Sequence, residues 1–198
     1  NPATLPGNTL DADEFEFIEL KNTGDETLDL STVSFTSGIT FDFHGSAVTS
    51  LGPGRFVLVV RNRQAFTSRY GSTPAGLIAG QYEGRLANGG ENVTLTDYWN
   101  GTVVEFEYGD GRGWPPAADG GGHSLVPLPS AVLDEPAGSL NYPGNWRSST
   151  FMGGSPGQDD SVATPSLLIN EFVANAPVGE NDWVELYNVG TAAVDVGG

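Results

Sequence analysis

The side chains that could carry out catalysis are few in this chain. Its 198 residues include no cysteine and only two histidines, His44 and His123. Thiolate nucleophiles, disulfides and cysteine-based zinc sites are therefore excluded. His123 precedes Ser124, but the string GGHSL lacks the glycine–x–serine–x–glycine spacing of a nucleophile elbow. We predict a half-buried structural role for His123 and no catalytic residue in the chain.

Two pairs of glutamates have the spacing of acid–base partners, namely Glu16 with Glu19 and Glu105 with Glu107. Glycosidases hold two such carboxylates about 5–10 Å apart in a cleft. Glu105 and Glu107 alternate with apolar residues in VVEFEYGD, which predicts one solvated strand face. We therefore interpret both pairs as structural.

An acidic string, DADEFE at 11–16, could bind a cation. It places Asp11, Asp13 and Glu14 in one turn, and carboxylate oxygens are the ligands that Ca²⁺ prefers. The glycine and the terminal glutamate of an EF-hand loop are absent. A calcium site and a plain solvated loop both stay open, and no cofactor other than calcium is indicated.

Aromatic side chains on a β-sheet protein can stack on sugar rings, and Trp99, Trp114 and Trp146 are available for this. A glycan-binding surface is therefore one hypothesis. Packing in the core or between domains is the favoured interpretation.

The charge of the chain limits its partners. The formal net charge is −17, the pI is near 4.1, and Lys21 is the only lysine. Binding to nucleic acid depends on neutralising phosphates with lysine and arginine, so a nucleic-acid partner is not expected. No apolar run reaches 18 residues, so membrane insertion is not expected either. The acidic, lysine-poor composition fits an extracellular or high-salt setting, and solubility alone explains it equally well.

Arginines flank the apolar string FVLVV at 56–60. Arg55, Arg61, Arg63 and Arg69 are predicted to pair with the acidic N-terminal segment across the fold. An anion-binding patch is the alternative.

The hydrophobic periods are those of short strands. ENVTLTD and VVEFEYGD alternate, and Asn100-Gly101 between them is typical of a type I′ turn, so 91–108 is predicted to be a hairpin. FVLVV is apolar on both faces and predicts a central, doubly covered strand. Further strands are predicted within 38–43, 123–128 and 167–177, and one or two helical turns at 64–70. Many short strands between turn signals favour an all-β antiparallel sandwich.

The chain contains an internal repeat. EFIELKNTGDETLDL at 16–30 matches DWVELYNVGTAAVDV at 182–196 with a constant offset of 166. The polar, proline-containing segment 158–166 predicts a linker. The 32 residues of 167–198 are too few to bury a core alone.

Five blocks of sequence together resemble the lamin-tail domain. They are DEFEFIELKNTGDETLDLS, LGPGRFVLVVRN, GRLANGGENVTLTD, GWPPAADGGGHSL and NWRSST…GGSPG, which span roughly residues 1–157. The chain is most similar to the branch found in secreted and surface proteins of bacteria. The resemblance implies an immunoglobulin-like β-sandwich and a non-catalytic accessory module, often in tandem or attached to enzymes or cell-surface assemblies.

The resemblance also predicts a missing strand. Family members open with a strand that ends in a string such as INEVMYNPA, and the first copy starts at NPA. The second copy has such a strand, LLINEFVANAP. We therefore expect domains at 1–157, lacking the usual first strand, and at 167–198, an incomplete second copy. The predicted strand donor consists of Leu167, Leu168, Ile169, Asn170, Glu171, Phe172, Val173 and Ala174.

The function expected from these observations is structural. The leading hypothesis is a non-catalytic interaction module of a large extracellular or cell-surface bacterial protein with tandem repeats, which assembles with neighbouring copies or adjacent domains by β-strand complementation into filaments or surface arrays. The donor strand pairs either within its own chain or with a neighbour. The alternative is a carbohydrate- or calcium-dependent binding module attached to an exported enzyme.

Overall fold

The computed structural model describes residues 2–3, 7, 9–128, 139–161 and 167–197. The chain divides into two compact units, Asn1–Ser161 and Val162–Gly198, which are described separately. The elements are β1 (Phe17–Lys21), β2 (Leu28–Asp29), β3 (Ser34–Ser37), β4 (Ile39–Asp42), β5 (Ser50–Leu51), β6 (Phe56–Val60), α1 (Arg63–Tyr70), α2 (Ser72–Ala75), β7 (Ile78–Gln81), β8 (Glu83–Gly84), β9 (Gly90–Thr96), β10 (Thr102–Gly109), β11 (Leu125–Pro127), β12 (Trp146–Ser148), β13 (Leu167–Val173) and β14 (Trp183–Asn188). Short 3-10 turns lie at Ala12–Phe15, Pro116–Ala118 and Pro143–Asn145.

Two sheets enclose the main core of the first unit. One sheet has the order β1-β6-β7 and the other the order β10-β9-β3-β4-β8. Alternate residues of β6, Val57 and Val59, meet Phe35, Phe41 and Leu95 of the larger sheet. This packing of two largely antiparallel sheets confirms the all-β sandwich expected from the strand periods.

The outer face of the smaller sheet is covered by α1. Leu58 and Val60 of β6 pack with Phe66 of the helix and Ile78 of β7. Because the odd and even residues of β6 enter different clusters, both faces of this strand are buried. The prediction that FVLVV forms a doubly covered strand is confirmed.

The helix at 64–70 is also confirmed, as α1. Asn62 caps it by accepting hydrogen bonds from the backbone N–H groups of Gln64 and Ala65. The sheet topology around the helix was not predicted, because β6 and β7 run parallel. A parallel pair needs a crossover connection, and α1 with α2 supplies it. Gly80 permits the close packing of β7, since a Cβ there would lie 2.5 Å from the ring of Phe41.

The hairpin predicted at 91–108 is confirmed by the pairing of β9 with β10. Its turn differs from the prediction. A type I′ turn needs positive φ at both central residues, whereas only Asn100 of the pair Asn100-Gly101 has one, at 61°. The side chain of Asp97 instead accepts from the N–H groups of Trp99 and Gly101 and organises a longer loop.

The second unit contains one antiparallel pair, β13 with β14. The strand predicted at the start of this unit is β13. It begins at Leu167, as expected, and ends at Val173, so Ala174 lies just beyond it. Part of the predicted linker, 162–166, lies outside the described residues. In the part of the chain that the structure describes, no helix has the length and apolarity needed to cross a membrane.

Candidate functional site

The strand β1 is the feature most suited to binding a partner. Its residues alternate between two environments: Ile18 and Leu20 pack against the main core, while Phe17 packs against the cluster under α1. Phe17 meets Phe66 and Tyr70 edge-on, with ring centroids 5.6 and 5.7 Å away. Both faces of β1 are thus held rigidly, which fixes the position of its backbone.

One edge of β1 is paired and the other is open. Arg61 N donates to Glu16 O and Asn22 N donates to Arg55 O, both across the pair with β6. Because hydrogen-bonded positions alternate along an antiparallel ladder, the backbone groups at positions 17, 19 and 21 point away from β6. Within the described residues these groups have no backbone partner, and β1 pairs with β6 alone. An edge of this kind is a template for another strand.

The segment 153–160 lies against the side chains of β1. Gly157 N donates to Glu19 Oε2 at 2.6 Å, and Lys21 forms an ion pair with Asp159. The segment is itself fastened by Asp160, which bonds to the guanidinium of Arg147. It contacts the strand through side chains, so it does not satisfy the outward backbone groups.

Asp160 is the residue that holds the segment 153–160 in place. Burial alone would raise the pKa of its carboxyl, but bonds from Arg147, Ser155 and Thr150 hold the pKa below its ordinary value. The segment is therefore anchored by an ionised carboxylate at neutral pH.

The carboxyl of Glu19 has an unusual environment. Burial raises its pKa from 4.5 to about 7; the Gly157 N–H and Lys21 act in the opposite direction, and Asp159 adds to the rise. Oε2 of Glu19 accepts from Gly157 N. Oε1 of Glu19 bonds to no described residue and is partly exposed to solvent. One oxygen of Glu19 thus stays available to a new donor.

The second unit contains the strand that corresponds to β1. With the offset of 166, β14 at Trp183–Asn188 is equivalent to positions 17–22. This equivalent strand is paired with β13, the predicted donor. The pair exposes much of its apolar surface, including Ile169, Phe172 and Val184. A two-stranded sheet with unburied apolar side chains is only marginally stable in water.

The predicted calcium ligands are directed elsewhere. Asp13 lies 3.8 Å from Arg85, and Glu14 accepts a hydrogen bond from Asn62. Asp11 is exposed at the start of the 3-10 turn. Among the described residues, no three carboxylate or histidine side chains gather closely enough to hold a metal ion. Calcium binding therefore stays a prediction.

The three tryptophans have two different environments. Trp146 packs between Phe106 and Trp114, with centroid distances of 5.3 and 6.0 Å, and its indole N–H donates to Leu140 O. Trp99 is instead 80% exposed at the tip of the β9–β10 hairpin, beside Tyr98. The structure thus does not bring the three together as one platform.

The candidate catalytic groups are separated as well. Glu16 is buried and accepts from the Tyr82 hydroxyl and from Leu86 N, while Glu19 bonds to Gly157. His123 is half-buried and its Nδ1 lies 2.7 Å from the carbonyl oxygen of Ser149. These contacts hold loops in place.

The arginines around β6 do not pair with the acidic segment as predicted. Arg69 lies over the ring of Phe15 at 3.5 Å and donates to Ala3 O. Arg63 donates to Ile78 O. In the described part of the chain, the ion pair to the acidic N-terminal segment comes from Arg85.

The β-sandwich agrees with the comparison to known families. The model described as Lamin Tail Domain matches residues 3–110, more than half of the chain. The chain belongs to the lamin tail domain family. No curated protein and no solved structure gives a match.

Membership in the lamin tail domain family has two consequences. The fold is immunoglobulin-like, as the resemblance implied, and the family is a non-enzymatic one whose domain serves in interactions. From the sequence, Glu19 was interpreted as structural and was not singled out on β1. The signal was present, since Glu19 and Glu185 are identical at the repeat offset.

Proposed function

We propose that this lamin tail domain is a non-catalytic interaction module of an extracellular bacterial protein with tandem repeats, and that it binds a neighbouring copy by accepting a β-strand at the open edge of β1. The observation behind this proposal is the set of outward backbone groups at positions 17, 19 and 21, which have no backbone partner in the described residues. Addition of a strand would satisfy them and extend the sheet β1-β6-β7.

The donor in this proposal is the strand at Leu167–Val173. Its sequence is that of the strand that precedes the equivalent of β1 in the second copy, and β13 does pair with β14 there. The donor and the acceptor are different surfaces of one chain, so the contact between two copies is head-to-tail. Repeated contacts of this type produce filaments or arrays unless the geometry closes a ring.

The extracellular setting rests on composition. The chain has no cysteine and one lysine, and its net charge of −17 keeps copies soluble until a specific contact forms. Backbone hydrogen bonds and apolar contacts drive strand addition, so the proposed assembly does not depend on a charged interface.

A matched pair of substitutions at Lys21 tests the acceptor. Lys21→Pro removes an outward N–H without removing a bond to β6, and proline is tolerated on edge strands. Lys21→Ala keeps that N–H but removes the same ion pair to Asp159. In analytical ultracentrifugation we expect the unaltered chain and Lys21→Ala to associate with rising concentration, and Lys21→Pro to remain monomeric.

Deletion of residues 165–198 tests the donor in the same assay. Loss of association with an unchanged melting temperature supports donation to a neighbour. If the full chain is monomeric and the deletion lowers the melting temperature, the strand completes its own domain instead. An unchanged melting temperature and an unchanged association state would contradict strand complementation altogether.

A second candidate function is glycan binding at the hairpin tip. Tyr98 and Trp99 are 75% and 80% exposed, and the cap formed by Asp97 holds the loop that presents them. Exposed aromatic rings on a rigid loop suit stacking on a sugar ring. A glycan array that detects the unaltered chain and not Trp99→Ala would support this function, whereas no signal on any glycan would oppose it.

A further inference from the structure

The two copies of one glutamate bind different donors. Glu19 and Glu185 occupy the same position of the repeat. Glu19 Oε2 accepts from Gly157 N, while Glu185 Oε1 accepts from the side-chain amide of Asn170 on β13. In the second unit, therefore, this glutamate is bonded to a side chain of the paired strand.

The position of Asn170 in β13 explains how it reaches the glutamate. Ile169 lies opposite Leu186 and Glu171 lies opposite Glu185, so Asn170 is the extra residue of a bulge between them. A bulge redirects a side chain away from the regular alternation. The amide is thus aimed along the strand pair at the carboxylate of Glu185.

The same register can be carried over to β1. Subtracting the offset of 166 places Glu171 of a donor opposite Glu19 and Leu168 opposite Lys21. A donor strand bound in this register must leave β14, because it uses the edge of β13 that β14 occupies. Asn170 would then exchange Glu185 for Glu19, whose Oε1 bonds to no described residue and is partly exposed to solvent. Gly157 need not leave, because a carboxylate has acceptor sites on both oxygens.

We propose that Glu19 determines the register of an incoming strand, by accepting a hydrogen bond from Asn170 of a second copy of this chain. The inference rests on the proposed strand addition and specifies the register in which the added strand binds. Alternation of faces excludes a slip of one residue, because every side chain would change sides. It does not exclude a slip of two residues, which keeps the faces and moves Asn170 by roughly 7 Å. The Glu19–Asn170 bond discriminates against that slip.

Cysteine cross-linking reads the register directly, because the chain has no cysteine of its own. One full-length variant contains Lys21→Cys, and a second, with a larger affinity tag, contains Leu168→Cys. Residues opposite each other on paired strands have the Cα separation that a disulfide requires, about 5.5 Å. Mixing and mild oxidation should give a covalent heterodimer. Ile169→Cys in place of Leu168→Cys is the control for the opposite face, and Ser166→Cys reports a slip of two residues.

Glu19→Ala and Asn170→Ala are then introduced separately into the acceptor and the donor. We expect each to lower the yield of the 21–168 cross-link relative to the 21–166 cross-link by about fivefold, the size expected for losing one hydrogen bond. The double variant should be no worse than either single one. Asn170→Ala leaves the contact between Glu19 and Gly157 intact, so its effect cannot come from loosening the acceptor.

The outcomes separate the two proposals. A dominant 21–168 cross-link that both substitutions weaken supports the role of Glu19. A 21–168 cross-link that neither substitution changes would overturn that role and leave strand addition standing. If no pair of cysteines reacts above the Ile169→Cys control, strand addition itself fails, and the register inference fails with it.

Discussion

The strands β1 and β14 have the same sequence pattern and very different surroundings. At the repeat offset, Leu20 corresponds to Leu186 and Asn22 to Asn188. Leu20 packs against the main core, whereas Leu186 is 49% exposed. Within the described residues, the edge of β1 away from β6 has no paired strand, while β14 is paired with β13. The same residues therefore serve as core in one copy and as unburied surface in the other.

The turns that follow β1 and β14 are alike, in contrast to the surroundings of the two strands. Asn22 accepts from Gly24 N and donates to Glu26 O; Asn188 accepts from Gly190 N and donates to Ala192 O. The local turn is thus reproduced bond for bond in the second copy. Among the described residues, only the first copy adds a long-range bond, from Asn22 to the carbonyl of Leu51. This difference should appear in the stability of matched variants of the two copies.

The largest effect is expected at Asn22. It is 2% exposed, and Asn22→Ala would remove a buried hydrogen bond to the carbonyl of Leu51 as well as breaking the turn. We expect a loss of about 3 kcal/mol in the free energy of unfolding. Asn188→Ala breaks only the exposed turn and should cost less than about 0.5 kcal/mol. Urea unfolding followed by circular dichroism measures both, and equal costs would contradict the comparison.

A smaller effect is expected at Leu20. Leu20→Ala removes methyl groups that pack against the core of the first unit, so the free energy of unfolding should fall by about 2 kcal/mol. Leu186→Ala is the matched control, and because the side chain is half exposed we expect a change of less than about 0.5 kcal/mol. Thermal unfolding at low protein concentration, where association does not contribute, measures the difference. A destabilising Leu186→Ala would show that the second unit has a folded core of its own.

The smallest effect concerns Glu19 and depends on pH. Its pKa is about 7 in the folded chain against an ordinary 4.5, so between these values the folded state holds a proton that the unfolded state has lost. Stability therefore falls as the pH rises through this window. Glu19→Gln should remove that part of the slope and be more stable than the unaltered chain at pH 8 by about 1 kcal/mol.

Glu185→Gln is the matched control for that experiment. Because Glu185 is exposed, the substitution should change stability by less than about 0.5 kcal/mol at any pH in the window. Burial also raises the pKa of Glu16, so Glu16 contributes to the pH dependence of stability in every variant. The difference between two variants therefore isolates the contribution of Glu19. A Glu19→Gln profile parallel to that of the unaltered chain would refute the assigned role of burial.

Much of the fold could be predicted because the relevant signals are local. FVLVV is apolar at consecutive positions, so it had to be covered on both faces, and β6 is. The alternation in 91–108 specified a hairpin, which β9 and β10 form. The parallel course of β6 and β7 could not be predicted, because strand direction depends on where the chain returns after α1. The predicted type I′ turn was also wrong, because the side chain of Asp97 accepts a hydrogen bond from Gly101 N and organises a longer loop.

The candidate site was predicted only in part. The strand at 167–173, the proposed donor, follows from the repeat and the apolar sequence, and the structure contains it as β13. The pairing of each edge of β1 has no local signal, because it depends on distant segments. The contact of Glu19 with Gly157 could not be predicted either, because it joins positions 138 residues apart.

The sequence by itself determined the alternation of β1 and β14 and the asparagine turn after each, because these depend on neighbours within about five residues. Only the tertiary structure decided that Asn22 is buried, that the pKa of Glu19 is raised, and that the outer edge of β1 has no strand beside it in the described residues. The physical reason is that burial and pairing are properties of distant segments brought together. Two copies of one sequence pattern can therefore differ in burial, in pKa and in strand pairing.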